Sequence, residues 1–255
     1  VGTKPEGRKE DYRERAYRRL VSGKGLVSFQ VQVKETDLYI QARGDLRETA
    51  HQAVLRYRYQ LEAYLQEHPD FFHSLTPVAG DEFAPPLVKE MMRAARAAGV
   101  GPMAAVAGAV AEYVGRDLLP ESAEVIVENG GDLFLLSSRE LKIAIFAGPS
   151  PLSMRVGVRV SGAAKGMGVC TSSGTVGPSL SFGRADAACI LAPSAALADA
   201  AATAVGNVVK SPADLGAGLD RARGIEGVTG AVVVIGGKMG AWGQVELFET
   251  QPGNP

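Results

Sequence analysis

Asp199 and Thr203 lie four residues apart in the run Ala198-Asp199-Ala200-Ala201-Ala202-Thr203-Ala204. On a helix that spacing puts both side chains on one face. A carboxylate and a hydroxyl so placed could converge on one hard cation. Magnesium takes oxygen ligands at about 2.1 Å and keeps several waters, so these two oxygens, a carbonyl and a diphosphate would complete its shell. A structural reading stands beside this one. Asp199 would serve capping and the helix dipole, and Thr203 would bond back to a carbonyl. The pattern alone leaves both open.

Three Gly/Ser-rich places could meet a phosphate. They are Asn129-Gly130-Gly131-Asp132, the run from Ser161 to Gly168 that carries Lys165, and Thr171-Ser172-Ser173-Gly174-Thr175. Backbone N–H groups in such turns can form a nest around phosphate oxygens, hydroxyls add donors, and Lys165 adds a movable charge. None matches a Walker loop or a Rossmann fingerprint in strand–helix context, so plain turn structure is the alternative for each. His51, His68 and His73 share no ligand spacing with Cys170 or Cys189 and read as surface or capping groups. Cys170 reads as a small buried hydrophobe at a strand end, with a reactive thiol as the alternative. No nucleophile elbow or paired-carboxylate pattern marks a hydrolase.

The elements that must position these residues follow from periodicity. Val27, Phe29, Val31 and Val33 alternate with polar residues, which predicts a strand with one buried side, and residues 37–42 predict its hairpin partner. From Leu46 the apolar period lengthens to three and four, predicting a helix that Pro69 ends. Further helices are expected over 86–98, stopped by Gly99, and from Pro102 to about Leu118. The second has a face of Ala and Gly that leaves room for a close neighbour. Residues 125–128 and 133–136 flank a hairpin turn, since Asn and Gly tolerate positive φ. Strands are expected at 141–146, 154–160, 167–171, 187–192, 231–235 and 243–249, with helices at 196–209 and 213–222. Strands and helices do not alternate strictly, so a doubly wound parallel sheet is disfavoured. The expectation is one α+β domain over 1–255 with antiparallel or mixed sheets, in which 1–80 could form its own layer or lobe.

Composition narrows the classes. The chain has 255 residues, 46% hydrophobic and 22% charged, enough for a sizeable core without metal or disulfide staples. A formal net charge of -1 does not suit the chain as a whole to nucleic acid. Residues 1–24 are the exception, with Lys4, Arg8, Lys9, Arg13, Arg15, Arg18, Arg19 and Lys24, and read as a solvated basic arm. Residues 251–255 read as a disordered tail. Two distant cysteines favour a reducing compartment. With no long apolar run and no leading basic-then-hydrophobic segment, the expectation is a cytoplasmic protein without membrane contact.

Several of these residues together resemble a known family. Val125-Ile126-Val127-Glu128-Asn129-Gly130-Gly131-Asp132-Leu133 looks like the strand–Gly-Gly–strand element of ApbE-like proteins, which transfer FMN from FAD to a protein threonine. Val169-Cys170-Thr171-Ser172-Ser173-Gly174 resembles the family's Ser-Thr-Ser-Gly turn, and Ala198–Ala204 its Ala-Asp-Ala-x-x-Thr-Ala helix. Leu26–Ile40 and Pro69–Pro77 look like a narrower prokaryotic branch of the superfamily. The resemblance implies an ApbE-like fold, magnesium-ligand positions at Asp199 and Thr203, and an FAD or related nucleotide site lined by Asn129–Gly131 and Thr171–Ser173.

Two family segments differ here. In place of Asp-x-Gly-x-x-Ala-Lys-Gly stands the stretch from Gly101 to Gly108, with Gly101 at the acidic position and Ala107 at the lysine. The His-His-Ile-x-Asp-Pro segment has no counterpart; Phe182–Ile190 stands nearby, where Arg184 and Asp186 could replace some polar contacts. The leading expectation is a flavin- or nucleotide-diphosphate-binding protein with magnesium-assisted phosphoryl transfer or diphosphate cleavage. The alternative is a noncatalytic ligand-binding or oligomeric scaffold on an inherited ApbE-like fold, its Ala-rich helices serving self-association.

Overall fold

In the computed structural model, residues 25–161, 163–176 and 181–250 are described. The basic arm and the tail lie outside them. The chain opens with a hairpin, β1 (Val27–Val33) and β2 (Thr36–Ala42), followed by α1 (Arg47–Glu67), the short α2 (Pro69–His73) and α3 (Pro86–Ala98). A 3-10 turn, Pro102–Ala105, leads into α4 (Val106–Asp117). Then come β3 (Val125–Asn129), β4 (Asp132–Leu136), β5 (Leu141–Ala144), β6 (Val156–Val160), a 3-10 turn at Ala163–Lys165, β7 (Met167–Ser172) and β8 (Ala187–Ala192). The chain continues through α5 (Ala195–Val208), a 3-10 turn at Pro212–Asp214, α6 (Leu215–Arg223), β9 (Gly230–Ile235), β10 (Lys238–Gly243) and β11 (Glu246–Glu249).

Two antiparallel sheets result. The larger has the order β1-β2-β3-β4-β7-β8-β9-β10, the smaller β11-β6-β5. The period of two along each strand sends alternate side chains to opposite faces. Val125, Val127 and Phe134 join a core shared with the helices, whereas Ile126, Leu133 and Leu135 join a second core under the small sheet. The molecule is therefore layered as helices, large sheet, small sheet. β8 and β9 are covered on both faces and buried throughout, which is why they read as unbroken apolar runs.

The helical layer is centred on α5, buried on nearly every side through Ala, Leu and Val. A helix apolar all round belongs inside. Its small side chains let α3, α4 and the sheet approach closely. At Gly108 a Cβ would run into the carbonyl of Ala195 and lie 2.9 Å from the Asp199 Cβ. The close neighbour expected for the Ala/Gly face of α4 is α5.

Some expectations shift. Residues 26–42 do not form a separate lobe, because β2 pairs with β3 from Leu38↔Asn129 to Ala42↔Val125. Pro102 opens a 3-10 turn before α4 begins. Pro69 ends α1 but also starts α2, with proline at the first turn. The strand expected over 243–249 is shorter, Glu246–Glu249, because Gly243, with φ of 85, ends the preceding strand and turns the chain. β10 went unforeseen because Gly240 and Gly243 mask an exposed edge strand.

Candidate functional site

The candidate residues gather at the sheet end where β3 turns into β4. Gly130 and Gly131 hold φ of 68 and 110, which a two-residue hairpin requires and residues with a Cβ resist. Gly131 N–H donates to Glu128 Oε1 at 3.0 Å. Asp132 stands directly opposite Cys170 on β7, so the first and third Gly/Ser turns do share one end of the sheet.

Strand parity then divides their side chains. Asn129, Asp132, Cys170 and Ser172 look toward the helices. Asn129 Nδ2 donates to the Ala107 carbonyl at 3.0 Å, Cys170 Sγ lies 3.3 Å from the Ala195 carbonyl, and Ser172 faces Gly206 of α5. Thr171 looks the other way, paired with Cys189 in the core under the small sheet. Ser173 and Gly174 are occupied within their own turn. Ser173 Oγ accepts from the N–H groups of Thr175 and Val176 at 3.1 and 3.0 Å, and Gly174 N–H donates to Ala185 O at 2.9 Å. Asp186 braces this turn, accepting from Thr175 Oγ1 at 3.1 Å and Gly236 N–H at 2.7 Å. Arg184 is exposed.

Asp199 projects from α5 onto the first turn of α4, where Oδ2 accepts the Gly108 N–H at 2.9 Å. That end of α4 has no side-chain cap from its own sequence. The sequence missed the reciprocal partner, Glu112 of α4. Its Oε2 accepts the Ala195 N–H at 2.7 Å and the Ser194 hydroxyl at 3.0 Å, at the N-terminus of α5. Each helix thus lends a carboxylate to the other's N-terminus, and each carboxylate lies four residues beyond the capped position, Gly108→Glu112 and Ala195→Asp199. Two positive helix ends meeting at a Gly–Ala crossing would repel. The crossed carboxylates neutralise both. The signal existed in sequence as an acidic residue inside each of two helices rich in Ala, Gly and Val, but nothing there says which helix each one caps.

Burial drives the electrostatics. The Asp199 carboxyl is pushed up to about 7 by desolvation, against the pull of the Gly108 and Ala107 N–H groups. Asp132 is raised well above the usual carboxylate range by burial and by the neighbouring Asp199 charge, although the Cys170 side chain and Thr171 N–H bond to it. Burial and the same two carboxylates raise the Cys170 thiol, the opposite of what a reactive cysteine needs.

Asp199 spends Oδ2 on the Gly108 N–H, and among the described residues no three or more His, Cys, Asp or Glu side chains are arranged to hold a metal. Thr203 lies one turn along the Asp199 face, half-buried. Lys165 is not brought to the other candidates. It precedes Met167, at the far end of β7 from Ser172, about 20 Å away at strand rise. Of the groups expected to line a flavin site, Asn129, Gly130, Gly131, Thr171, Ser172, Ser173 and Gly174 keep partial exposure at the sheet end, and Asp132 is buried. No single helix among the described residues is long and apolar enough to cross a membrane.

The chain is 38% identical over 224 residues to a UPF0280 protein of Methanococcus aeolicus, covering 84% of this chain and 90% of that protein. It is 41% identical over 222 residues to a UPF0280 protein of Methanosphaerula palustris, covering 86% and 92%. Among solved structures, the apo form of Pseudomonas stutzeri flavinyl transferase ApbE aligns with a TM-score of 0.52 at 17% identity, over 86% of this chain and 94% of that one. That likeness establishes the fold, an ApbE-like arrangement of two antiparallel sheets and packed helices, and nothing about activity. A family model described as AbpE bacteria matches residues 18–239, and the chain belongs to that family.

Proposed function

We propose that this protein is a noncatalytic ligand-binding member of the ApbE-like fold, taking a flavin or nucleotide at the sheet end formed by Asn129–Asp132 and Ser172 without cleaving it. The observation that carries this reading is the bond from Gly108 N–H to Asp199 Oδ2 at 2.9 Å. A carboxylate whose Oδ2 accepts a helix N-terminal N–H acts as a cap, and that oxygen is spent on the helix rather than on magnesium. In that ion's place, Lys165 lies too far from the sheet end to neutralise a diphosphate leaving group. The partly exposed Gly130–Gly131 turn still offers a backbone surface that a planar or phosphate-bearing ligand can approach closely.

Incubation with FAD and magnesium, followed by separation of nucleotides, tests this. Intact FAD is expected, with flavin fluorescence that changes on adding protein and does not respond to magnesium. AMP and FMN among the products would establish the catalytic reading instead, in which Asp199 and Thr203 share a cation. A flat fluorescence titration across micromolar flavin would remove the ligand and leave the scaffold alone.

A further inference from the structure

Four strands lie at the outer edges of the two sheets, β1 and β10 of the large one, β11 and β5 of the small one. An open edge invites pairing with another chain, and charge, glycine or shortness blunts it. Lys238, Gly240 and Gly243 interrupt β10, Glu246 and Glu249 bound the short β11, and Lys142 stands in the short β5. β1 has none of these. Its seven residues carry no charge, proline or glycine, and pair with β2 in unbroken register from Val27↔Ala42 to Val33↔Thr36. Among the described residues no strand lies on its outer side.

The hairpin fixes which backbone groups are open. Val33 and Thr36 flank a two-residue turn, with Lys34 at a φ of 52, and so exchange hydrogen bonds. Alternation then turns the N–H and C=O groups of Val27, Phe29, Val31 and Val33 to β2, and those of Ser28, Gln30 and Gln32 outward. A copy of β1 set antiparallel about a two-fold axis at Gln30 meets all three, with Ser28 opposite the partner's Gln32 and Gln30 opposite the partner's Gln30. Phe29 then stands against the partner's Val31 on the helix side, an aromatic–β-branched pair made twice. A charge on the axis would face its own copy; Gln30 is neutral.

The helical layer admits the same copy. α4 packs on β3 and β4, α5 on β7 and β8, and α6 on β9 and β10, one helix to two strands. α1 takes the outermost place over the hairpin, sharing the core with Phe29 and Val31, and Arg58 Nη1 donates to Thr36 Oγ1 at 2.7 Å. One further two-strand step is about 10 Å, close to the distance at which helices pack, and there the copy's α1 falls. On the inner flank of α1, Arg56 pairs with Asp117 of α4; on the outer flank, Arg58 and Glu62 reach Glu35 and Lys34 of the hairpin turn. Leu55 shares that outer stripe, three and seven residues before them. It is 40% exposed, and Val27 at the start of β1 is 43% exposed. A lone extended peptide on β1 would leave Leu55 bare, whereas a second copy brings a helix against it.

We propose that a second copy of this chain pairs with β1, antiparallel about Gln30, so that two eight-stranded sheets join into one and the two α1 helices meet over the seam. Light scattering on the full chain after size exclusion tests this. At micromolar concentration the mass should be twice the 26.7 kDa of one chain. Gln30→Lys sets like charges opposite each other, and Gln30→Pro removes an outward N–H that β2 does not use. Both should run as monomers with unchanged far-UV circular dichroism, and Leu55→Asp should do the same from the helical layer. Ala241→Lys, an equal charge on β10, should stay dimeric. The register is read with Gln30→Cys. Both native cysteines are buried, and Cα atoms of a hydrogen-bonded pair stand about 5.5 Å apart, within disulfide reach. Mild oxidation should therefore link two copies through position 30, and should not do so through Ala241→Cys. A monomer at every concentration, a dimer that survives both Gln30 variants, dissociation by Ala241→Lys, or linkage at position 241 in place of 30 would each overturn the interface.

Discussion

Asp199 is the residue where chemistry and architecture compete. In the unfolded chain its carboxyl titrates near about 3.9; in the folded protein burial lifts it to about 7. Between those values the native state holds the proton more tightly. Stability should therefore fall as pH rises from about 4 to about 7 and level off above. Asp199→Asn keeps an acceptor for the Gly108 N–H and removes the titration. Compared with the unaltered protein, that variant should gain on the order of 2–4 kcal/mol between pH 4.5 and pH 8, the size of a shift of two to three units. Urea denaturation at both pH values checks it, and a constant difference would mean that the carboxyl ionises normally. The sequence raised both readings of this residue, as ligand and as cap. It could not decide between them, because the N–H groups that claim it are 91 residues away in the chain.

At the scale of elements, the crossing of α4 and α5 should behave as one unit. Glu112→Ala strips the cap from Ala195 N–H in a buried place and leaves Arg116 without its partner, at a cost of about 2–4 kcal/mol. Asp199→Ala does the same to α4. Because both changes loosen one joint, their sum should exceed the double variant's loss by at least about 1 kcal/mol. A double-mutant cycle by thermal or urea denaturation measures this, and simple additivity would show the two caps to be independent. Most elements were legible from periodicity and punctuation: the 26–42 hairpin, the helix closed by Gly99, and the Asn129–Asp132 turn. Legibility failed where side chains carry no pattern. β10 is hidden by its glycines, and a 3-10 turn and an α-helix after Pro102 look alike in sequence. Facing was also hidden: Thr171 and Ser172 are neighbours in one turn motif, yet pleating sends them to different layers.

For the molecule as a whole, a single sheet serves two cores, one on each face. Phe134→Ala removes a fully buried ring from the helix side, and Leu135→Ala a fully buried side chain from the small-sheet side. Each should cost about 3–5 kcal/mol. Both should also lower one common transition, with Trp242 fluorescence and far-UV circular dichroism coinciding through a urea titration. Separate transitions would show that the layers come apart independently. The sequence pointed to an α+β architecture with antiparallel or mixed sheets, but alternation alone does not say what covers each face. The small sheet draws its edge strand, β11, from the very end of the fold, pairing Glu246 with Arg159 and Glu249 with Val156. During synthesis, then, β5 and β6 leave the ribosome nearly ninety residues before the strand that completes them. Until residue 249 has emerged, the nascent chain carries a two-stranded remnant with one flank open to any extended peptide, and that interval is when this protein is most exposed to mispairing.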